Sequence, residues 1–179
     1  MCLALALSLS LSAAPLDLPT WNAERLQTQG IGLGVLGSWA VGNLAVGTIG
    51  ALLAKDERVR WLHLGNALWN TVNLALSVVG LASQWKTDPA SFDGRASLQA
   101  SSSSTTVFGV NAGLDVGYVA TGAFLWQRGD AKGDARMVGI GQALVIQGAA
   151  LLVFDTVMAV LQGLLTTRLL DGVDITPRP

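Results

Sequence analysis

The 179-residue sequence has one cysteine, one histidine and few charged side chains. Cys2 lies in a segment that we expect to be removed, so the mature chain would have no disulfide, cysteine metal site or thiol nucleophile. A single histidine excludes a His-rich zinc cluster and a bis-histidine haem held within one copy. Charged residues make up 13% of the chain and the net charge is −1. This charge gives no basic patch for nucleic acid, so no nucleic-acid partner is predicted.

Catalytic motifs are also missing from the sequence. It has no G-x-S-x-G, H-E-x-x-H or P-loop pattern, and no nucleophile stands at a fixed spacing from a base. The Gly30-Ile31-Gly32 spacing falls inside an apolar run, which rules out a nucleotide-binding loop. The sequence therefore predicts a protein that is not an enzyme and that needs no cofactor.

Long apolar runs dominate what is present. Hydrophobic residues make up 51% of the chain, mean hydropathy is +0.49, and the charges cluster between the runs. This pattern is typical of membrane proteins and predicts an all-α, four-helix transmembrane bundle in a lipid bilayer. The predicted helices are 29–54, 61–83, 107–126 and 137–167. We expect a polar lead (15–28) before the first helix and a tail (168–179) after the last. A mobile Ser-rich linker (84–106) joins the second and third helices, and Ser104, Thr105 or Thr106 is expected to cap the third helix.

The first fourteen residues resemble a secretory signal peptide. The apolar run 2–14 has the length of a signal-peptide core and is too short to span a bilayer. No Lys or Arg precedes it and Pro15 follows it, so an uncleaved anchor and a misplaced start codon remain open alternatives.

Basic residues predict the orientation of the bundle. Lys55, Arg58 and Arg60 share one short loop, and Arg128, Lys132 and Arg136 share another. Because cytoplasmic loops are enriched in Lys and Arg, we expect both loops inside and both termini outside the cytoplasmic membrane. A cleaved signal peptide would also deliver an outward N-terminus.

The first span is rich in glycine. Gly30, Gly34 and Gly37 share one helical face, and Asn43, Gly47 and Gly50 share another. Small residues allow close helix packing in lipid, so two small faces predict two neighbouring helices. One of these seams could equally form a homodimer, and the sequence leaves both interpretations open.

Each predicted span carries a polar stripe near its middle. On the second helix, five side chains from His63 to Ser77 fall within about 80° of arc. With the charge-free stretch around them, they predict an intramembrane polar axis shared by four helices. The candidate ligand- or ion-binding residues are Asn43, His63, Asn66, Asn70, Asn73, Asn111, Asp115, Tyr118, Gln147 and Asp155, with Ser77 and Gln162 on the same faces.

The two aspartates decide between the hypotheses for this axis. No Lys or Arg lies within any predicted span to pair with Asp115 or Asp155, so each is protonated, holds a cation or lines a hydrated cavity. The axis is therefore a structural network or binds a small ligand or ion. The alternative is a proton- or ion-coupled transporter component that acts as an oligomer. His63 is either an interfacial anchor or a proton acceptor at the inner mouth.

The motifs on the four helices resemble an uncharacterised family of small bacterial four-span membrane proteins. The motifs are Trp39-x-x-x-Asn43, His63-x-x-Asn66-x-x-Trp69-Asn70-x-x-Asn73, Asn111-x-x-x-Asp115 and Gln147-Gly148-x-x-Leu151-Leu152-x-Phe154-Asp155. The likeness covers roughly 30–162. It implies a multi-pass protein of the bacterial inner membrane, and it implies no activity, cofactor or substrate.

Overall fold

The chain folds as an all-α bundle of four long antiparallel helices, as predicted. A computed structural model describes residues 16–172, and the predicted signal peptide lies outside them. The helices are α1 (Leu18–Leu53), α2 (Glu57–Gln84), α3 (Gly94–Lys132) and α4 (Ala135–Gly172), with a short 3₁₀ helix, Pro89–Ser91, between α2 and α3. The α1–α2 and α3–α4 connections lie at one end of the bundle, here called the loop end. The α2–α3 connection lies at the other, the terminal end.

Aspartate begins every helix. The side chains of Asp17, Asp56 and Asp93 accept hydrogen bonds from backbone N–H groups in the first turns of α1, α2 and α3, and Asp134 does so for α4. These caps satisfy amide groups that have no partner within the helix. At the other end of α3, Gly133 stops the helix with a left-handed backbone (φ 67°), where a glycine is favoured.

All four helices extend beyond the predicted boundaries, α1 and α3 by the largest amount. The polar lead is helical from Leu18, and α3 begins at Gly94, so the prediction of a mobile linker over 84–106 is wrong for most of its length. The predicted caps Ser104, Thr105 and Thr106 lie inside α3, and Asp93 caps it instead. The helices are longer because polar side chains at the terminal end form hydrogen bonds with partners on neighbouring helices. Asn22 donates to Ser97 (2.8 Å), and the Ser101 and Thr166 hydroxyls lie 2.6 Å apart, so polar residues that looked solvated are buried between helices.

Glycines allow the helices to pack backbone to backbone at the loop end. A Cβ at Gly47 would stand 2.8 Å from the carbonyl oxygen of His63, and one at Gly139 would stand 2.4 Å from that of Arg58. These contacts join α2 to α1 and to α4. In contrast, no Cα atoms of α2 and α3 lie within 8 Å of each other in the described bundle. The bundle is therefore closely packed between α1 and α2, between α2 and α4, and between α3 and α4, and it is open between α2 and α3.

Most glycines of the two predicted small-residue faces of α1 approach α2, whereas Gly32 packs against Met158 of α4. Gly30, Gly37, Gly47 and Gly50 all approach side chains or backbone of α2, whereas Gly34 has no neighbouring atom within 4 Å of its potential Cβ position. The two helices wrap around each other, so the contact face drifts along α1 and joins residues that a straight helix would separate. The homodimer stays a prediction.

Two of the four helices, α1 and α4, are long and apolar enough to cross a membrane. The polar stripe of α2 and the Ser-rich start of α3 reduce the hydropathy of the other two, and four spans stay a prediction. Both basic loops lie at the loop end, where the guanidinium of Arg136 stands 4.5 Å from the Trp61 ring centroid and that of Arg58 6.0 Å from the Trp126 centroid.

Candidate functional site

The predicted polar axis divides into two groups of side chains with different surroundings. The first is centred on Gln147 of α4, which is completely buried. Its Oε1 accepts from Trp39 Nε1 (3.1 Å), and its Nε2 donates to Asn43 Oδ1 (3.2 Å) and Asn66 Oδ1 (3.1 Å). One amide thus joins α1, α2 and α4. We call these four residues the Gln147 network.

The asparagines of α2 connect this network to the open side of the bundle. Asn70 donates to the Asn66 carbonyl (2.8 Å), and Asn73 donates to Asn70 Oδ1 (3.3 Å). One turn further, Ser77 donates to the Leu33 carbonyl of α1 (2.7 Å). All of these bonds stay within the tight half of the molecule, where they tie α2 to itself and to α1.

The second group lines a cavity between α2 and α3. The cavity has a volume of about 670 Å³ and receives residues from all four helices. Its polar walls are Asn73 from α2, Asn111, Asp115 and Tyr118 from α3, and Asp155 from α4, with Gln29, Ser103 and Ser104 towards the terminal end. Most of the remaining lining is aliphatic or aromatic. We call this space the aspartate cavity.

The two aspartates face each other in this cavity. Asp115 is 2% exposed and Asp155 is 5% exposed. The two carboxyl groups are close neighbours in the cavity, and the Asn111 side chain lies beside Asp155. Asp115 Oδ2 is buried and has no hydrogen-bond donor among the described residues. No Lys, Arg or His lines the aspartate cavity, so the pair has no cationic side chain to balance it.

Aromatic rings stand on both sides of the carboxyl pair. The rings of Trp69 and Tyr118 meet edge to face, with centroids 4.7 Å apart, and join α2 to α3 on the loop-end side. Phe108 and Phe154 form a second edge-to-face pair at 6.2 Å. Tyr118, Asp115, Asn111 and Phe108 follow one another along α3 at helical spacing, so the acids lie between the two aromatic pairs.

His63 is separate from both groups. Its ring packs against Gly50 of α1, where a Cβ would stand 2.5 Å from ring atoms, and it does not line the aspartate cavity. Nδ1 is buried without a hydrogen-bond partner in the described bundle. The ring position is that of a packing residue near the loop end, rather than a proton acceptor that opens into the cavity.

Several residues in or near the two groups were missed by the sequence analysis, which did not include Trp39 or Trp69 among the candidate binding residues. The four-residue spacing of Trp39 and Asn43 was the available signal, because it puts both on one face. A third polar group lies at the terminal end, and of its members the sequence analysis named Gln162 alone. Here Trp21 Nε1 donates to the Leu165 carbonyl (3.2 Å), the Arg25 guanidinium covers the Phe92 ring at 5.3 Å, and Gln162 is fully buried with neither amide atom partnered.

Comparison with known proteins identifies a family for this chain. A family model, described as a family of unknown function (DUF6992), matches residues 35–156. The chain belongs to DUF6992. No curated protein and no solved structure gives a significant match.

The DUF6992 match encloses both polar groups. All ten candidate residues, from Asn43 to Asp155, lie inside it, as does Trp39. The polar group at the terminal end lies outside the matched stretch, except for Phe92. Within the described residues, no three His, Cys, Asp or Glu side chains come together as a metal-binding group. The Gln147 network and the aspartate cavity are therefore the features of the matched region on which a function can be argued.

Proposed function

We propose that the protein is a non-catalytic integral membrane protein in which the aspartate cavity binds a cation and the Gln147 network holds the bundle together. One observation carries the proposal. Two buried carboxyl groups face each other in a 670 Å³ cavity without a cationic side chain among its lining residues. Two like charges this close in apolar surroundings repel strongly, and a bound cation or a shared proton removes the repulsion.

Hydrogen-bond completeness separates the two roles. Gln147 uses both ends of its amide, with three partners on two other helices. Such a group is satisfied by the protein itself, which is what a structural role requires. Asp115 lines the cavity, and its buried Oδ2 has no hydrogen-bond partner among the described residues. An unsatisfied buried oxygen beside a cavity is what a ligand would complete.

The shape of the cavity favours binding over conduction. Trp69 and Tyr118 bridge α2 and α3 on its loop-end side, while Gln29, Ser103 and Ser104 give its terminal-end side a polar lining. A transporter component would need access from both sides. The cavity has a polar approach from one side, so we place a cation-binding protein ahead of a transporter component.

The proposal includes four membrane spans with both termini outside. It is supported by two helices that are apolar enough to cross a membrane, and by two basic loops at the same end of the bundle. Labelling with a membrane-impermeant maleimide tests it in a Cys2→Ser background. Ser102→Cys, at the terminal end, should label in intact cells, and Ala131→Cys, at the loop end, should label after permeabilisation. The reverse pattern would overturn the orientation, and labelling of both in intact cells would overturn the four-span topology.

Infrared spectroscopy of the protein in lipid tests the carboxyl pair on which the cation site depends. A shared proton gives a C=O stretch of a protonated carboxyl group, which should disappear when the pH is raised. Besides the aspartates, the titratable group that lines the cavity is Tyr118. The band should be absent from the Asp115→Asn/Asp155→Asn variant and present in Asp130→Asn, where an exposed aspartate of α3 is replaced. A band that survives in the double variant would contradict the proposal.

A further inference from the structure

We infer that the aspartate cavity takes a lipophilic organic cation: a molecule with one positive charge and an apolar, preferably aromatic, body. The inference rests on the proposed function and narrows its ligand class. The observations that carry it are the aromatic pairs around the acids, the volume of the cavity and the apolar rim of its opening.

The aromatic rings select for an organic cation over a small inorganic one. A hard metal ion prefers a shell of oxygen ligands, whereas the cavity places Trp69, Tyr118, Phe108 and Phe154 around a carboxyl pair. Ring faces attract cations, and aromatic walls around a negative charge are the usual receptor for quaternary ammonium groups. The volume of 670 Å³ lies in the range of pockets for drug-sized molecules and is far larger than a site for one dehydrated metal ion.

The opening between α2 and α3 favours an amphiphilic ligand. Val72 and Leu76 of α2, and Val107 and Leu114 of α3, line the cavity and are also more than half exposed on the outside of the bundle. These side chains form an apolar rim at the place where the two helices part. In a bilayer this rim faces lipid, so a ligand dissolved among acyl chains reaches the carboxyl pair without crossing a polar layer.

Binding should release a proton. In the resting state one proton lies between the Asp115 and Asp155 carboxyl groups. When a monovalent cation takes its place, both carboxylates are ionised around it and the proton passes to the buffer. The ligand-bound site then has two negative charges and one positive charge, so the net charge of the site does not change.

Isothermal titration calorimetry with tetraphenylphosphonium tests the inference on the protein in mild detergent. Tetraphenylborate has the same shape and the opposite charge, and serves as the matched probe. We expect saturable binding of the cation near one per chain, release of up to one proton when buffers of different ionisation enthalpy are compared, and no saturable binding of the anion. Equal binding of both ions would overturn the inference, because it would show hydrophobic partition alone.

Aspartate variants test whether tetraphenylphosphonium binds in the aspartate cavity. Asp155→Asn should weaken binding at least tenfold, and the double Asp115→Asn/Asp155→Asn variant should abolish it. Asp130→Asn and Asp171→Asn, which alter exposed aspartates of the same helices, should bind as the wild type does. Undiminished binding by the double variant would overturn the inference. If the protonated-carboxyl band is present but tetraphenylphosphonium does not bind, the cation site stands and the ligand class is wrong.

Discussion

The two halves of the bundle hold their polar side chains in opposite ways. On the tight side, Gln147 is completely buried and every atom of its amide that can form a hydrogen bond has a partner on another helix. On the open side, Asp115 is almost as deeply buried and lines a cavity, and one of its oxygens has no hydrogen-bond donor among the described residues. Burial alone therefore does not separate a structural polar group from a binding group. The difference lies in whether the protein itself completes the hydrogen bonds.

The largest loss of stability is expected when Gln147 is replaced. Gln147→Leu would leave Trp39 Nε1 and the side-chain oxygens of Asn43 and Asn66 without their shared partner. Because unsatisfied buried groups are costly, we expect a loss of about 3 kcal/mol in the free energy of unfolding, measured by denaturation in mixed micelles.

Gln162 provides a matched control on the same helix. It is as fully buried as Gln147, but neither of its amide atoms has a partner among the described residues. Gln162→Leu should therefore be neutral or stabilising, because it replaces an unsatisfied amide by an apolar group of similar size. Equal losses in the two variants would show that burial, and not hydrogen bonding, decides the outcome.

Glycine substitutions test the packing difference between the two sides. A Cβ at Gly47 would meet the backbone of α2 at 2.8 Å, whereas Gly113 of α3 has no atom within 4 Å of its potential Cβ position. We expect Gly47→Ala to lower the free energy of unfolding by about 2 kcal/mol through overpacking. Gly113→Ala should raise it by about 0.5–1 kcal/mol, because alanine is the better helix former. A destabilised Gly113→Ala variant would mean that this face of α3 is covered in the folded protein.

Asp115→Asn should have a smaller effect, and of the opposite sign to Gln147→Leu. The amide can donate a hydrogen bond to Asp155 without first taking up a proton, so we expect a gain of up to about 1 kcal/mol in the free energy of unfolding, measured by thermal denaturation. Asp155→Asn should behave in the same way. A loss comparable to that of Gln147→Leu would assign the aspartates to the structural network.

The smallest change in stability is expected at the terminal end, away from the Gln147 network and the aspartate cavity. Glu24 and Arg168 form a two-pronged ion pair between α1 and α4, with half-exposed side chains and Arg168 Nη1 3.1 Å from Glu24 Oε1. Because exposed pairs are screened by water and salt, Glu24→Gln should cost less than about 0.5 kcal/mol, and the cost should shrink in high salt. A larger loss, independent of salt, would show that the terminal end contributes to the fold as the tight side does.

The sequence was a good guide to the fold class and to the polar side chains that share a helical face. Hydropathy and helical spacing predicted four helices and put Asn111, Asp115 and Tyr118 on one face, because both depend only on local periodicity. The boundaries failed where Asp17 and Asp93 start helices whose polar residues are buried by pairing. Serines at 97 and 101 look like linker in a sequence, and only their partners on α1 and α4 explain why they are helical.

The division of the polar axis could not be predicted. All four stripes have similar composition, and their separation into a network and a cavity depends on how far α2 stands from α3. That distance follows from the close approach at Gly47 and Gly139, which draws α2 towards α1 and α4. Trp39 and Trp69 were not among the candidate residues for the same reason, since the role of each ring depends on which helix it contacts.

The protonated-carboxyl band in the infrared spectrum, compared among three proteins, tests the central claim most directly. The account predicts a band that titrates with pH in the wild type and in Gln147→Leu, and no such band in Asp115→Asn/Asp155→Asn. The band would then report a cation site that is separate from the hydrogen bonds that hold the bundle. A band that is lost in Gln147→Leu and kept in the double aspartate variant would contradict the account.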